Sequence, residues 1–144
     1  MISKKEYNEL VKQKSPNSDI IKDTILAFVI GGIFCSVGQL ISFAWENLDL
    51  AKEDTSALTS ATMIFLGALL TGIGIYDNIA RYGGGGTLVP ITGFANSIVS
   101  PAIEYQTEGY ILGVGAKMFT IAGPVLVYGI SASVIYGLIY YFVV

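Results

Sequence analysis

Three long apolar blocks organise this chain. Residues 25–44, 58–75 and 118–144 contain no charged side chain. About 20 residues at 1.5 Å each cover the ~30 Å hydrocarbon core of a bilayer. The pattern therefore predicts an all-α integral membrane protein with three transmembrane helices, at about 25–45, 58–76 and 122–142. Trp45, Tyr76 and the Tyr140–Tyr141 pair fall at block ends, where interfacial aromatics belong.

The last apolar block opens at Tyr110, and about 34 residues would make a helix of about 50 Å, too long for one untilted span. Gly123–Pro124 offers a break, because proline removes a donor and disturbs the preceding turn. The sequence thus predicts a helical segment over 109–121 and a spanning helix after it, a broken C-terminal helix. Gly129, Ser133 and Gly137 recur every four residues along that helix, a ridge of small groups for tight packing. Gly31, Gly32, Cys35, Ser36 and Gly38 do the same for the first span, as do Gly67, Thr71 and Gly74 for the second.

Between the second and third spans lies "RYGGGGTLVPITGFANSIVSPAIEY", residues 81–105. Irregular backbone at membrane depth survives only when buried in protein or lining water. The apolar run 88–103 is short for a span and suits a re-entrant or short helical hairpin within 87–121. Gly83, Gly84, Gly85 and Gly86 with Pro90 make its entry, and Gly123 with Pro124 its far hinge. The glycine run serves either as a hinge and close-packing element or as a direct solute contact. It is no phosphate loop, since Gly86 is followed by Thr87 and Leu88 rather than Lys and Ser or Thr.

Residues 1–24 form a tail ahead of a single membrane domain over 25–144. Ile2, Tyr7, Leu10 and Val11 alternate with lysines and glutamates, so the tail is either a short headgroup-bound helix or a solvated arm. Asn17 or Ser18 could cap the first span. No small-x-small cleavage site follows, and the first span reads as a retained signal anchor.

Composition strengthens the membrane reading. The chain is 53% apolar and 13% charged, with mean hydropathy +0.63, against about 25% charged in soluble domains. A net charge of −3 excludes the basic stripe of a nucleic-acid binder. Five lysines in the first two dozen residues place the N-terminus on the cytosolic side by the positive-inside rule. The acidic connector around Lys52 then lies opposite. With three spans the C-terminus is also opposite; a crossing by 88–103 would reverse it.

Histidine is absent and Cys35 is the only cysteine. That removes histidine acid–base catalysis, Cys/His metal sites and internal disulfides. No nucleophile elbow appears either. The expectation is no enzyme, no metal and no cofactor. Chemistry rests on polar groups at membrane depth: Gln39, Thr92, Asn96, Thr120 and above all Lys117. Gln39 is either an interhelical hydrogen bond or a pore-facing amide. Lys117 is the only charge after Glu108. It snorkels to the interface, faces a pore or an anionic solute, or pairs with Glu104, Glu108 or Asp77.

"GGGGTLVPITGFANSIVSPAIEYQTEGYILGVGAKMFTIAGPVLVYG" closely resembles the shared core of the SpoVA spore membrane proteins, and the likeness extends over essentially the whole chain. "TLVPITGFANS" and "GAKMFTIAGPVLVYG" are long enough to make it specific. The resemblance implies the spore inner membrane of an endospore-forming bacterium, with the N-terminus on the core side. It implies movement of dipicolinic acid with calcium during sporulation and germination, with mechanosensitive-channel behaviour in one member. It also implies assembly with other SpoVA subunits, among them a shorter membrane subunit sharing the core block and a soluble partner. The alternative is a non-conducting membrane scaffold that anchors soluble spore proteins.

Overall fold

A computed structural model describes residues 4–14 and 19–143. The elements in order are α1 (Lys4–Lys14), α2 (Ile20–Glu46), α3 (Lys52–Gly72), α4 (Tyr76–Gly83), α5 (Gly85–Leu88) and α6 (Ile91–Glu104). A 3-10 turn (Gln106–Glu108) and a π-helical turn (Tyr110–Gly115) then lead into α7 (Ala116–Val143). No strand occurs among the described residues. Three helical stretches are long and apolar enough to cross a membrane: Ile20–Glu46, Lys52–Gly72 and Tyr110–Val143. The expected caps at Asn17 and Ser18 lie outside the described residues, and Asp19 precedes α2 without a side-chain capping bond.

α2 and α3 pack antiparallel through a short connector. The Trp45 indole N–H donates to the Thr62 hydroxyl at 3.2 Å. Further along, Gly38 faces the Met63 methyl. Trp45 is thus a strut between helices as well as an aromatic at a span end. α6 runs beside α3 in the same direction, since Gly67 meets Thr92 and Thr71 meets Asn96 one turn on. A side chain at Gly67 would lie 3.0 Å from Thr92 backbone, so glycine is what lets these two helices approach.

The segment between α3 and α6 folds back over α2. The rings of Phe34 and Tyr76 lie 5.9 Å apart. Gly86 abuts the Ala27 backbone, and Gly31 abuts Gly86 in turn. Gly31 of α2 therefore admits α5. Within the four-glycine run the roles divide. Gly84, at φ +44°, makes the turn between α4 and α5. Gly83 packs against Ile30 and Thr87, Gly86 packs against α2, and Gly85 meets nothing.

Three expectations need correction. The C-terminal helix is not broken at Gly123–Pro124: α7 continues through Pro124 to Val143. A proline removes one donor and helices in lipid tolerate that loss. The irregularity falls earlier, in the π-helical turn at Tyr110–Gly115, where Gly113 presses on the Tyr105 carbonyl and the Glu108 side chain. Second, Tyr76 is packed inside the protein rather than presented on its surface. It is 1% exposed and begins α4. Third, the second spanning helix starts at Lys52 rather than 58 and ends at Gly72 rather than 76. Over 87–121 the chain forms α5, α6, the two turns and the start of α7. α6 has 14 residues, about 21 Å of helix, short of a crossing.

α7 stands apart. It touches α6 and the π-helical turn through its first turns, and every residue from Pro124 to Val143 is exposed. Among the described residues, Gly129 and Gly137 of the small ridge face open space, and Ser133 between them is exposed. Ser133 returns its hydroxyl to the Gly129 carbonyl at 2.8 Å.

Candidate functional site

Polar side chains on α2 and α3 share one groove of about 710 Å³. From α2 come Cys35, Gly38, Gln39, Ser42 and Glu46, spaced by three or four residues or adjacent, hence one helical face. From α3 come Lys52, Thr55, Ser56, Thr59 and Ser60, again at helical spacing. Ser42 donates to Glu46 Oε1 at 3.2 Å, and Thr59 donates to the Thr55 carbonyl at 2.8 Å. The Gln39 amide and the Ser56 and Ser60 hydroxyls find no partner among the described residues. Over the connector half of their length the two helices turn these polar side chains toward the shared groove.

A second polar cluster is closed. The Tyr76 phenol lies 2.9 Å from the Thr87 carbonyl and 3.1 Å from Thr92 Oγ1. A phenol has one proton and a carbonyl can only accept, so Thr92 is the donor in the second contact. Burial raises the pKa of the Tyr76 phenol above its ordinary value, against the lowering effect of the Thr92 bond. The Thr71 hydroxyl lies 2.7 Å from the Gly67 carbonyl and 2.9 Å from the Asn96 amide. The atom of Asn96 that faces Thr71 is Oδ1, an acceptor, so the single Thr71 proton is shared between that oxygen and the Gly67 carbonyl. Thr92 and Asn96, both candidates for a solute path, thus spend their polar groups joining α6 to α4 and α3.

Thr120 donates to the Ala116 carbonyl on its own helix at 2.8 Å. Lys117 holds its ammonium 4.1 Å from the centre of the Tyr105 ring. It forms no ion pair with Glu104, Glu108 or Asp77, all of them described residues. The lysine latches the first turn of α7 to the end of α6. A cation over an aromatic face contributes about 0.5–2 kcal/mol. Lys117→Met should therefore lower the thermal midpoint in detergent by several degrees, whereas Lys117→Arg, whose guanidinium also stacks on rings, should hold it. Equal midpoints for wild type and Lys117→Met would remove the latch.

Of the solute-path candidates named from sequence, only Gln39 lies in the groove, beside Cys35 and Gly38, which were read as packing residues. Ser42, Glu46, Lys52, Thr55, Ser56, Thr59 and Ser60 were missed. The signal was there in α2, where Cys35, Gln39, Ser42 and Glu46 recur with helical period.

The SpoVAC/SpoVAEB sporulation membrane protein family matches residues 23–139. Stage V sporulation protein AC of Bacillus subtilis (strain 168) is 43% identical over 137 residues, covering 94% of this chain and 91% of that relative. No solved structure matches.

Proposed function

We propose that this chain, which belongs to the SpoVAC/SpoVAEB family of sporulation membrane proteins, is a channel subunit. Its solute is dipicolinate, as the calcium chelate or the free dianion, and its place is the inner membrane of the developing spore. The observation that carries this reading is the polar groove between two helices apolar enough to cross a bilayer. Exposed hydroxyls and amides are unfavourable against lipid and favourable against water or a hydrophilic solute. One chain encloses no conduit, so further copies or other SpoVA subunits complete it. These include a shorter membrane subunit, with a soluble partner at the surface. The N-terminus faces the spore core, and the segment α4–α6 turns back at membrane depth, supported by α2 and α3. Tension on the bilayer would act on the helix spacing that sets the groove.

Liposomes loaded with dipicolinate test this. Purified protein should raise efflux at least tenfold over protein-free vesicles, and Gln39→Leu with Ser60→Leu should remove most of that rise. Absence of efflux and of current would leave the alternative, a non-conducting scaffold. The bare apolar length of α7, free of intrachain partners beyond its first turns, favours that second reading.

A further inference from the structure

We infer that the α2–α3 groove is a water-filled half-channel, entered from the connector between these helices and ending near Cys35. The inference deepens the channel reading by fixing the side and depth of entry.

The mouth is marked by Glu46 and Lys52, the ends of the two helices, and the far end by Cys35 and Gly38. Cys35 lies eleven positions from Glu46, about 16 Å along the helix. That is about half of the ~30 Å apolar core. Between these limits stand the unpartnered Gln39 amide and the Ser56 and Ser60 hydroxyls. Placing such a group in hydrocarbon without a partner costs roughly 4–8 kcal/mol on the cyclohexane scale. Three of them on one concave face cannot be left to acyl chains. Water satisfies them at little cost, and a groove of about 710 Å³ has room for many water molecules.

The floor is built differently. Beyond Cys35 the same face of α2 carries Gly32, Gly31 and Phe28, and beyond Ser60 the same face of α3 carries Met63, Gly67 and Leu70, none with a hydrogen-bonding side chain. Water continuing past them would lose its hydrogen bonds, so the aqueous column stops there. The occupant class is therefore water and small hydrophilic solutes, admitted halfway from one side. Passage onward needs a polar wall from another chain or a shift of the α2–α3 spacing.

The wild-type protein carries its own reporter, since Cys35 is its only thiol and it is exposed in the groove. The experiment uses a membrane-impermeant quaternary-ammonium methanethiosulfonate, added to one face of oriented vesicles at a time, with labelling read by mass. Cys35 should react from the connector side at least tenfold faster than from the N-terminal side. A thiol moved to Leu40, which is exposed outside the groove, in a Cys35→Ala background, should react at least tenfold more slowly than Cys35 with the same reagent. Thr59→Leu should slow Cys35 labelling severalfold by filling the groove. Labelling by neutral N-ethylmaleimide alone would overturn the inference, because the groove would then hold lipid or protein. Equal labelling from both faces would overturn the closed floor. Efflux and labelling separate the two proposals: a reactive Cys35 without dipicolinate efflux keeps the half-channel and rejects the channel function.

Discussion

Replacing Gly86 by alanine should destabilise this protein more than any other single added methyl in the glycine run. The new Cβ would fall on the Ala27 carbonyl oxygen, with the Ala27 Cα 3.0 Å away. Both are backbone atoms of α2, and no rotamer change can move them aside. Overpacking against a rigid neighbour costs about 1–3 kcal/mol, and this site lies at or above the upper end. The neighbouring glycines supply the controls. Gly85→Ala meets nothing within 4 Å and should be neutral, or stabilising by about 0.4–1 kcal/mol through the unfolded chain. Gly84→Ala keeps its space but must hold φ +44° with ψ −121°, at roughly 1–3 kcal/mol. Thermal unfolding in detergent, followed through the single Trp45, should rank the three as Gly86, Gly84, Gly85. Equal midpoints for Gly86→Ala and Gly85→Ala would mean that α5 does not sit on α2.

Tyr76→Phe should be the second large loss. The change removes one oxygen and leaves the ring against Phe34 undisturbed. It strands the carbonyl of Thr87, a residue only 3% exposed, and deprives Thr92 of its acceptor. An unsatisfied buried polar group costs about 1–3 kcal/mol. Thr92→Val should cost less, about 0.5–1.5 kcal/mol, because the phenol keeps its bond to the carbonyl. The double variant should lose less than the sum, since both single changes break the same contact. Additive losses would show that Tyr76 and Thr92 are not bonded. The pH behaviour follows from the raised pKa of Tyr76. The neutral donor is fully present below the ordinary phenol value of about 10. Stability should be lost as pH climbs past that value toward the folded-state value, and Tyr76→Phe should lack this loss.

These two sites explain why the glycine run reads ambiguously in sequence. Four identical residues give no clue to which one turns the chain and which one is pressed against a neighbour. Gly84 is fixed by a local dihedral, but Gly86 matters because residue 27, far away in sequence, passes beside it. Tyr76 misleads for the same reason. An aromatic at the end of an apolar run has the composition of an interfacial residue, and only the fold-back of α4 over α2 buries it. Lys117 joins this group, because its partner is a ring rather than the carboxylates that charge alone would suggest.

The missed groove has a more specific cause. Starting the second helix at 58 assigned Thr55 and Ser56 to a loop, which cut the polar face of α3 in half. The helix starts at Lys52 instead, and Glu53 and Asp54 then stand in its first turn, where acidic groups favour a helix N-terminus.

The sequence alone determined the solvent and the elements: charge-free runs of about 20 residues are stable only out of water, and in lipid they must be helices because each backbone group needs a partner within its own segment. It also determined which chemistries are absent, through the missing histidine and the lone cysteine. The burial of Tyr76 and the meeting of two polar faces as a groove were decided only by the tertiary structure. Both depend on which distant backbone lies alongside, a contact that neither hydropathy nor local spacing encodes.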